Sequence, residues 1–147
     1  MTIKFQYKHL KGVADFLLNQ VSTKGKKNIH RMRVVNALNQ QHNNYAKEEL
    51  ELIKEYADTD EQGELIPREG GGFKIAPSNA KVCNEAIQSL SGEYFTIDDS
   101  NLESALKTVE KLVNDFDKEL VGHPAEMHYI LSEAFENAKE NEKGSEE

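Results

Sequence analysis

The sequence has no tryptophan, one cysteine and three prolines, and aromatic residues make up only 7% of it. Each scarcity removes a class of protein. With so few rings, a large aromatic-lined ligand pocket has little to be built from. A single cysteine, Cys83, can form neither an intramolecular disulfide nor a cysteine-based zinc cluster. No apolar run approaches the roughly 20 residues that cross a bilayer. The opening residues, Met1 to Lys8, alternate in character and lack the apolar segment of a secretory signal. The expectation is a protein that works in a cytoplasm, without a membrane. Three prolines and no low-complexity core speak against a disordered chain. At 147 residues the chain is long enough for one real core.

Acidic residues are also scarce where the chain begins. Residues 1–47 hold nine Lys or Arg against one acid, Asp15, for a net charge of +8; residues 48–147 hold nine against 25, for −16. The two halves either attract each other within one fold or meet charged partners outside it.

What is present is mainly helical periodicity. Ile3, Phe5 and Tyr7 alternate with Lys4 and Gln6, which predicts a short strand over residues 2–6. Leu10, Val13, Ala14, Leu17 and Val21 predict an amphipathic helix, with Gly25 as its left-handed cap. A long helix follows from Asn28, a suitable N-cap, to Asp58. Its seam runs through Met32, Val35, Leu38, His42, Tyr45, Ala46, Leu52, Ile53 and Tyr56, with an amide-rich centre from Asn36 to Asn44. Buried amides need partners, so a hydrogen-bond network is expected there. The basic start and acidic end of this helix both oppose its dipole.

Asp58 to Glu69 places acids at loop positions 1, 3 and 12 and glycine at 6, an imitation of a calcium-binding EF-hand loop through Asp58, Asp60, Gln62, Glu64 and Glu69. Position 5 is Gln and position 10 is Pro67, and Gly70-Gly71-Gly72 stands where the second helix should begin. A β-hairpin pairing residues 64–66 with 73–75 fits better. Next, Pro77 opens a helix with Val82, Ala86, Ile87 and Leu90 inward, and Cys83 beside Val82 in the core or half-buried; Tyr94 to Ile97 predicts another strand. Ser100 and Glu103 form a capping box for a helix with Leu102, Ala105, Leu106, Val109, Leu112, Val113 and Phe116 on one face. Pro124 opens the last helix, whose stripe is Met127, Ile130, Leu131, Ala134 and Phe135. The expectation is a mainly helical α+β fold with one long central helix and a small sheet, a single domain over residues 1–139, and a frayed acidic tail over 140–147.

The run Glu55-Tyr56-Ala57-Asp58-Thr59-Asp60-Glu61-Gln62-Gly63-Glu64, then Phe73-Lys74-Ile75, and the closing stretch Glu119 to Glu136 resemble a family of small proteins encoded by bacteriophages and prophages of Gram-positive bacteria, a domain of unknown function. The resemblance extends from Ile3 to Glu136 and departs at His123-Pro124, where the family pattern has small polar or acidic residues. It implies a viral context among late genes, a place in the host cytoplasm or the virion, and no catalytic residues.

No pair of the five histidines has metal-ligand spacing, no nucleophile elbow is present, and Gly70-Gly71-Gly72 lacks the lysine and helix start of a phosphate loop. No cofactor or metal is implied, and an enzyme is not expected. The functional candidates are the basic run Lys24, Lys26, Lys27, Arg31 and Arg33 and the acidic series Glu48, Glu51 and Glu55. The reading carried forward is a non-enzymatic phage accessory protein that contacts a viral or host protein, or a second copy of itself. The alternative is a nucleic-acid-associated phage protein using residues 24–33. Acidic surface that occupies a host nucleic-acid-binding protein is a third reading.

Overall fold

A computed structural model describes residues 1–146. The order of elements is β1 (Ile3–Gln6), a 3-10 turn (Tyr7–His9), α1 (Leu10–Asn19), α2 (Lys26–Tyr56), α3 (Pro77–Gly92), β2 (Tyr94–Ile97), a second 3-10 turn (Ser100–Leu102), α4 (Glu103–Asn114) and α5 (His123–Glu146). The mainly helical α+β class and the long helix are as the periodicity predicts. The chain forms two compact units: Met1–His42 with the chain from Tyr94 on, and Asn43–Glu93. Helix α2 supplies its first half to one and its second half to the other.

The first unit holds the main core. β1 and β2 pair antiparallel, with Ile3 opposite Ile97 and Phe5 opposite Phe95. Alternation along β1 turns Ile3 and Phe5 inward and leaves Lys4 exposed. Helix α5 packs on α1, α4 and β1. Leu10, Val13 and Leu17 of α1, Val35 and Leu38 of α2, Leu106, Val109 and Val113 of α4, and Leu131 and Phe135 of α5 are all fully buried in one cluster. Each such side chain contributes on the order of 1.5–3 kcal/mol by leaving water. Gly12 lets α1 and α5 approach: a Cβ there would lie 2.4 Å from Met127 Sδ.

Several local expectations change. Helix α2 starts at Lys26, two residues before Asn28, and Gly25 precedes it with φ of +65°. Gly25 is therefore no cap for α1, which ends at Asn19. Its carbonyl accepts from Asn28 N and Ile29 N and so begins α2. Ser100 does not form the capping box; Asp99 accepts from Asn101 N at 2.9 Å instead. Glu103 is free to bind the terminal ammonium of Met1, which Glu142 also approaches at 3.4 Å. Those two carboxylates raise the ammonium pKa, chiefly through the Glu103 hydrogen bond, and the ammonium lowers that of Glu103. Helix α5 continues to Glu146, through the stretch for which the composition predicts fraying.

The second unit combines the end of α2, an irregular connection and α3. Two short reversals shape the connection. Asp60 N donates to Glu64 O and Arg68 N to Gly72 O, both at 2.9 Å. The predicted hairpin pairing is present, with Lys74 N on Ile66 O at 2.9 Å, but it yields isolated bridges at Thr59–Leu65 and Pro67–Phe73 and no regular strands at 64–66 and 73–75. Pro67 has no N–H to extend a ladder. Gly70, Gly71 and Gly72 all take positive φ, which makes the reversal tight. Asn79 Nδ2 donates to Tyr56 O at 3.2 Å and so ties the start of α3 to the end of α2. Tyr45, Ile53 and Cys83 are this unit's buried hydrophobic residues.

Candidate functional site

The two charged segments that the sequence singles out fall in different surroundings. Lys24, Lys26, Lys27 and Arg33 are exposed, whereas Arg31 is half-buried. Arg31 Nη1 donates to Leu17 O at 3.2 Å and to Val21 O, and its Nη2 donates to Asn28 Oδ1 at 2.6 Å. Leu17 lies in the last turn of α1 and Val21 just beyond it. The guanidinium thus satisfies carbonyls that the end of a helix leaves without partners, at the end where the dipole favours a cation. Arg31 is thus tied to the end of α1. Its Nε is buried without a partner.

Lys24, Lys26 and Lys27, with Ser22 and Thr23, form an open shelf at the start of α2. Lys27 also faces a second depression, of about 250 Å³, whose other lining residues are Lys107, Thr108, Lys111, Leu112 and Asp115 of α4 and the residue after it. The floor of this groove is fixed. Thr108 Oγ1 donates to Ser104 O at 3.1 Å and lies 2.6 Å from His30 Nδ1. Thr108 Oγ1 is thus held between Ser104 O and the imidazole of His30. His30 is 9% exposed.

Glu48, Glu51 and Glu55 recur at steps of three and four and share one face of α2 in the second unit, all exposed. Lys54 lies 3.5 Å from Glu51 and 3.9 Å from Glu64. Leu50 (42% exposed) and Val82 (49%) stand open on the same unit, although the helical pattern assigned Val82 inward. Cys83, next to it, is buried. In the amide-rich centre, Asn36, Gln40, Asn43 and Asn44 are exposed and Asn39 Oδ1 is buried without a hydrogen-bond partner.

Charge divides differently in space than along the chain. The basic residues 1–42 (eight Lys or Arg, one acid) fold with residues 94–147 (five against 14), so the first unit carries a net −2. Residues 43–93 hold five Lys or Arg against 11 acids, a net −6.

Asp60 Oδ1 accepts from Gln62 N at 2.9 Å and Glu64 N at 3.0 Å, an arrangement that shapes a turn. Among the described residues no three His, Cys, Asp or Glu side chains group as metal ligands, the loop Asp58, Asp60, Gln62, Glu64, Glu69 included. His128 Nε2 donates to Val113 O at 3.0 Å and its ring lies 5.1 Å from Phe116 and 5.5 Å from Phe16. It closes the end of α4. Burial, more than the neighbouring Lys8, lowers the pKa of His9. Among the described residues no helix is long and apolar enough to cross a membrane.

The sequence reading missed Lys107, Lys111 and His30. Lys107 and Lys111 stand one turn apart on the polar side of α4, which is visible in the sequence. That this side faces the start of α2, nearly 80 residues away in the chain, is not. The chain matches no protein-family model, no curated protein and no solved structure.

Proposed function

We propose that this is a non-enzymatic accessory protein of a phage that works by contact with another protein, and that Asn43–Glu93 is the contacting unit. The observation that carries the reading is the thin core of that unit. Only Tyr45, Ile53 and Cys83 are buried hydrophobics there, and none belongs to the main core cluster. Leu50 and Val82 are nearly half exposed. A unit of this size buries too little apolar surface to gain much stability alone, and cover from a partner would supply what is missing. The net −6 and the face of Glu48, Glu51 and Glu55 favour a basic partner surface there, and Leu50, on another face of α2, takes apolar cover. The phage context rests on the resemblance of Glu55–Ile75 and Glu119–Glu136.

Affinity purification from infected cells, with wild type beside a Leu50→Glu/Val82→Glu variant, tests it. The expected result is a protein recovered in stoichiometric amount with wild type and lost with the variant, while amide exchange in the first unit stays unchanged. Recovery of the same protein with both forms, or of none with either, refutes the assignment to this unit.

A further inference from the structure

We propose that the groove between the first turn of α2 and α4 binds phosphate groups, and that its ligand is a nucleotide, free or within single-stranded nucleic acid. Lys27 approaches from α2, and Lys107 and Lys111 stand at i and i+4 on α4, so three lysines line one depression of about 250 Å³. Compensation within the protein is incomplete. Lys107 has Glu103 at 3.7 Å. Neither Lys27 nor Lys111 has an ion pair among the described residues, and Asp115 is the one acid of the lining. With Glu103 and Asp115 set against the three lysines, the groove carries a net +1.

The groove borders the start of α2 through Lys27. Asn28 N and Ile29 N bond to Gly25 O, so the amides of Lys26 and Lys27 have no acceptor within the helix. Lysines at the positive end of a helix dipole destabilise it, and a bound anion reverses the sign of that interaction. The two features have independent origins: α4's lysines are no part of the helix start, and they converge on it from another element.

The remaining wall suits the rest of a nucleotide. Leu112, the Thr108 methyl and the aliphatic stems of the lysines give an apolar strip for a base, and the Asp115 carboxylate can accept from a sugar hydroxyl. The Thr108 oxygen is already committed to His30 and Ser104, so it holds the floor and does not read the ligand. With no aromatic ring in the lining, base selection is weak and phosphate dominates the affinity. The compact depression fits one nucleotide better than an extended acidic peptide.

The proposal is independent of the contact assigned to residues 43–93, and the Leu50→Glu/Val82→Glu variant should bind nucleotide as wild type does. Fluorescence anisotropy of a labelled oligothymidylate, with calorimetric titrations of ATP and inorganic phosphate and a polyglutamate peptide as competitor, tests it. Three phosphate contacts predict that log K falls with log salt at a slope of about −2. Lys27→Gln and Lys111→Gln should each reduce that slope by about 0.7 and weaken binding several-fold. Lys118→Gln, an exposed lysine outside the groove, should change neither. ATP binding with the same lysine dependence, with or without oligonucleotide binding, upholds the groove; it assigns the free nucleotide when the oligonucleotide fails. The proposal is overturned if neither nucleotide form binds at low salt. It is also overturned if binding is indifferent to Lys27 and Lys111, or if polyglutamate competes as well as the oligonucleotide.

Discussion

Replacing Arg31 with Met separates a scaffold role from a contact role. Met keeps most of the aliphatic stem and removes every donor. Leu17 O, now held at 3.2 Å, and Val21 O both lose their partner, as does Asn28 Oδ1 at 2.6 Å. Hydrogen bonds from a charged donor contribute about 1.5–3 kcal/mol each. Two terms reduce the loss. The carbonyls stand at a helix end where water can reach them in part, and Arg31 Nε, buried without a partner, no longer costs its desolvation. A net destabilisation of about 2–3 kcal/mol follows. At roughly 2–4 °C per kcal/mol for a chain of this size, the melting temperature should fall by about 5–10 °C. Urea unfolding followed by far-ultraviolet circular dichroism measures the change, and amide exchange in α1 assigns it to the first unit. Arg33→Met, two residues on and exposed, should move stability by no more than about 0.5 kcal/mol. Equal effects of the two substitutions would refute the scaffold role and return Arg31 to the contact surface.

Gly12→Val should destabilise the first unit by about 1–3 kcal/mol, because the new Cβ would meet Met127 Sδ at 2.4 Å and His123 Nε2 at 3.1 Å. A double-mutant cycle with Met127→Ala should show coupling of at least about 0.5 kcal/mol; strict additivity would contradict the close approach. Tyr45 has its hydroxyl pKa raised, by burial first and then by the hydrogen bond to Glu49. Its folded pKa lies above the unfolded one, so its stabilising contribution is complete below pH 10 and is lost as pH rises beyond that. Alkaline titration should loosen residues 43–93 before the first unit, and Tyr45→Phe should remove the difference, both read by amide exchange. Glu103 has its pKa lowered by the Met1 ammonium, so its contribution is present above pH 4.5 and fades as pH falls through the depressed value. Acid unfolding of Glu103→Gln should be correspondingly less steep in that window.

The fold was largely legible because its signal is repeated. Leu10, Val13, Ala14 and Leu17 each report the same helical face, and Leu106, Val109 and Val113 do so for α4; losing one residue leaves the pattern. β1 was legible from three alternating side chains, but its partner was open between β2 and the connection, since four residues of pattern carry no pairing information. The errors fall where one residue decides. Gly25 has the same positive φ whether it ends α1 or begins α2, and only the bonds of its carbonyl distinguish the two. Pro67 cancels a ladder that the flanking apolar residues otherwise favour. The candidate site was legible by half. The basic run stands out as a run, yet Arg31 within it is turned to the end of α1, and Lys107 and Lys111, which join Lys27, are ordinary surface lysines until the chain is folded.

The charge layout shows why position along the chain misleads about partners. The +8 of residues 1–47 invites a search for a polyanion, and the −16 of the remainder invites a search for a cation. Folding places most of the basic segment with the acidic chain from Tyr94 on, and that unit ends near neutrality at −2. Long-range attraction between its halves is thus largely met inside it, and no partner is needed to explain the basic segment as a whole. Two imbalances survive. One is local, at Lys27, Lys107 and Lys111, where three cations border one groove. The other is the −6 of residues 43–93, which coincides with the thinnest core in the chain. Excess charge of one sign resists compaction, and few buried side chains oppose it there. The two deficits lie on different faces of α2: the carboxylates of Glu48, Glu51 and Glu55 share one, and the exposed Leu50 stands on another, beside Lys47 and Lys54. Contact through that unit should therefore weaken as salt rises, whereas added salt should stabilise residues 43–93 when they are alone. A contact insensitive to salt would mean that the exposed leucine and valine act without the carboxylates.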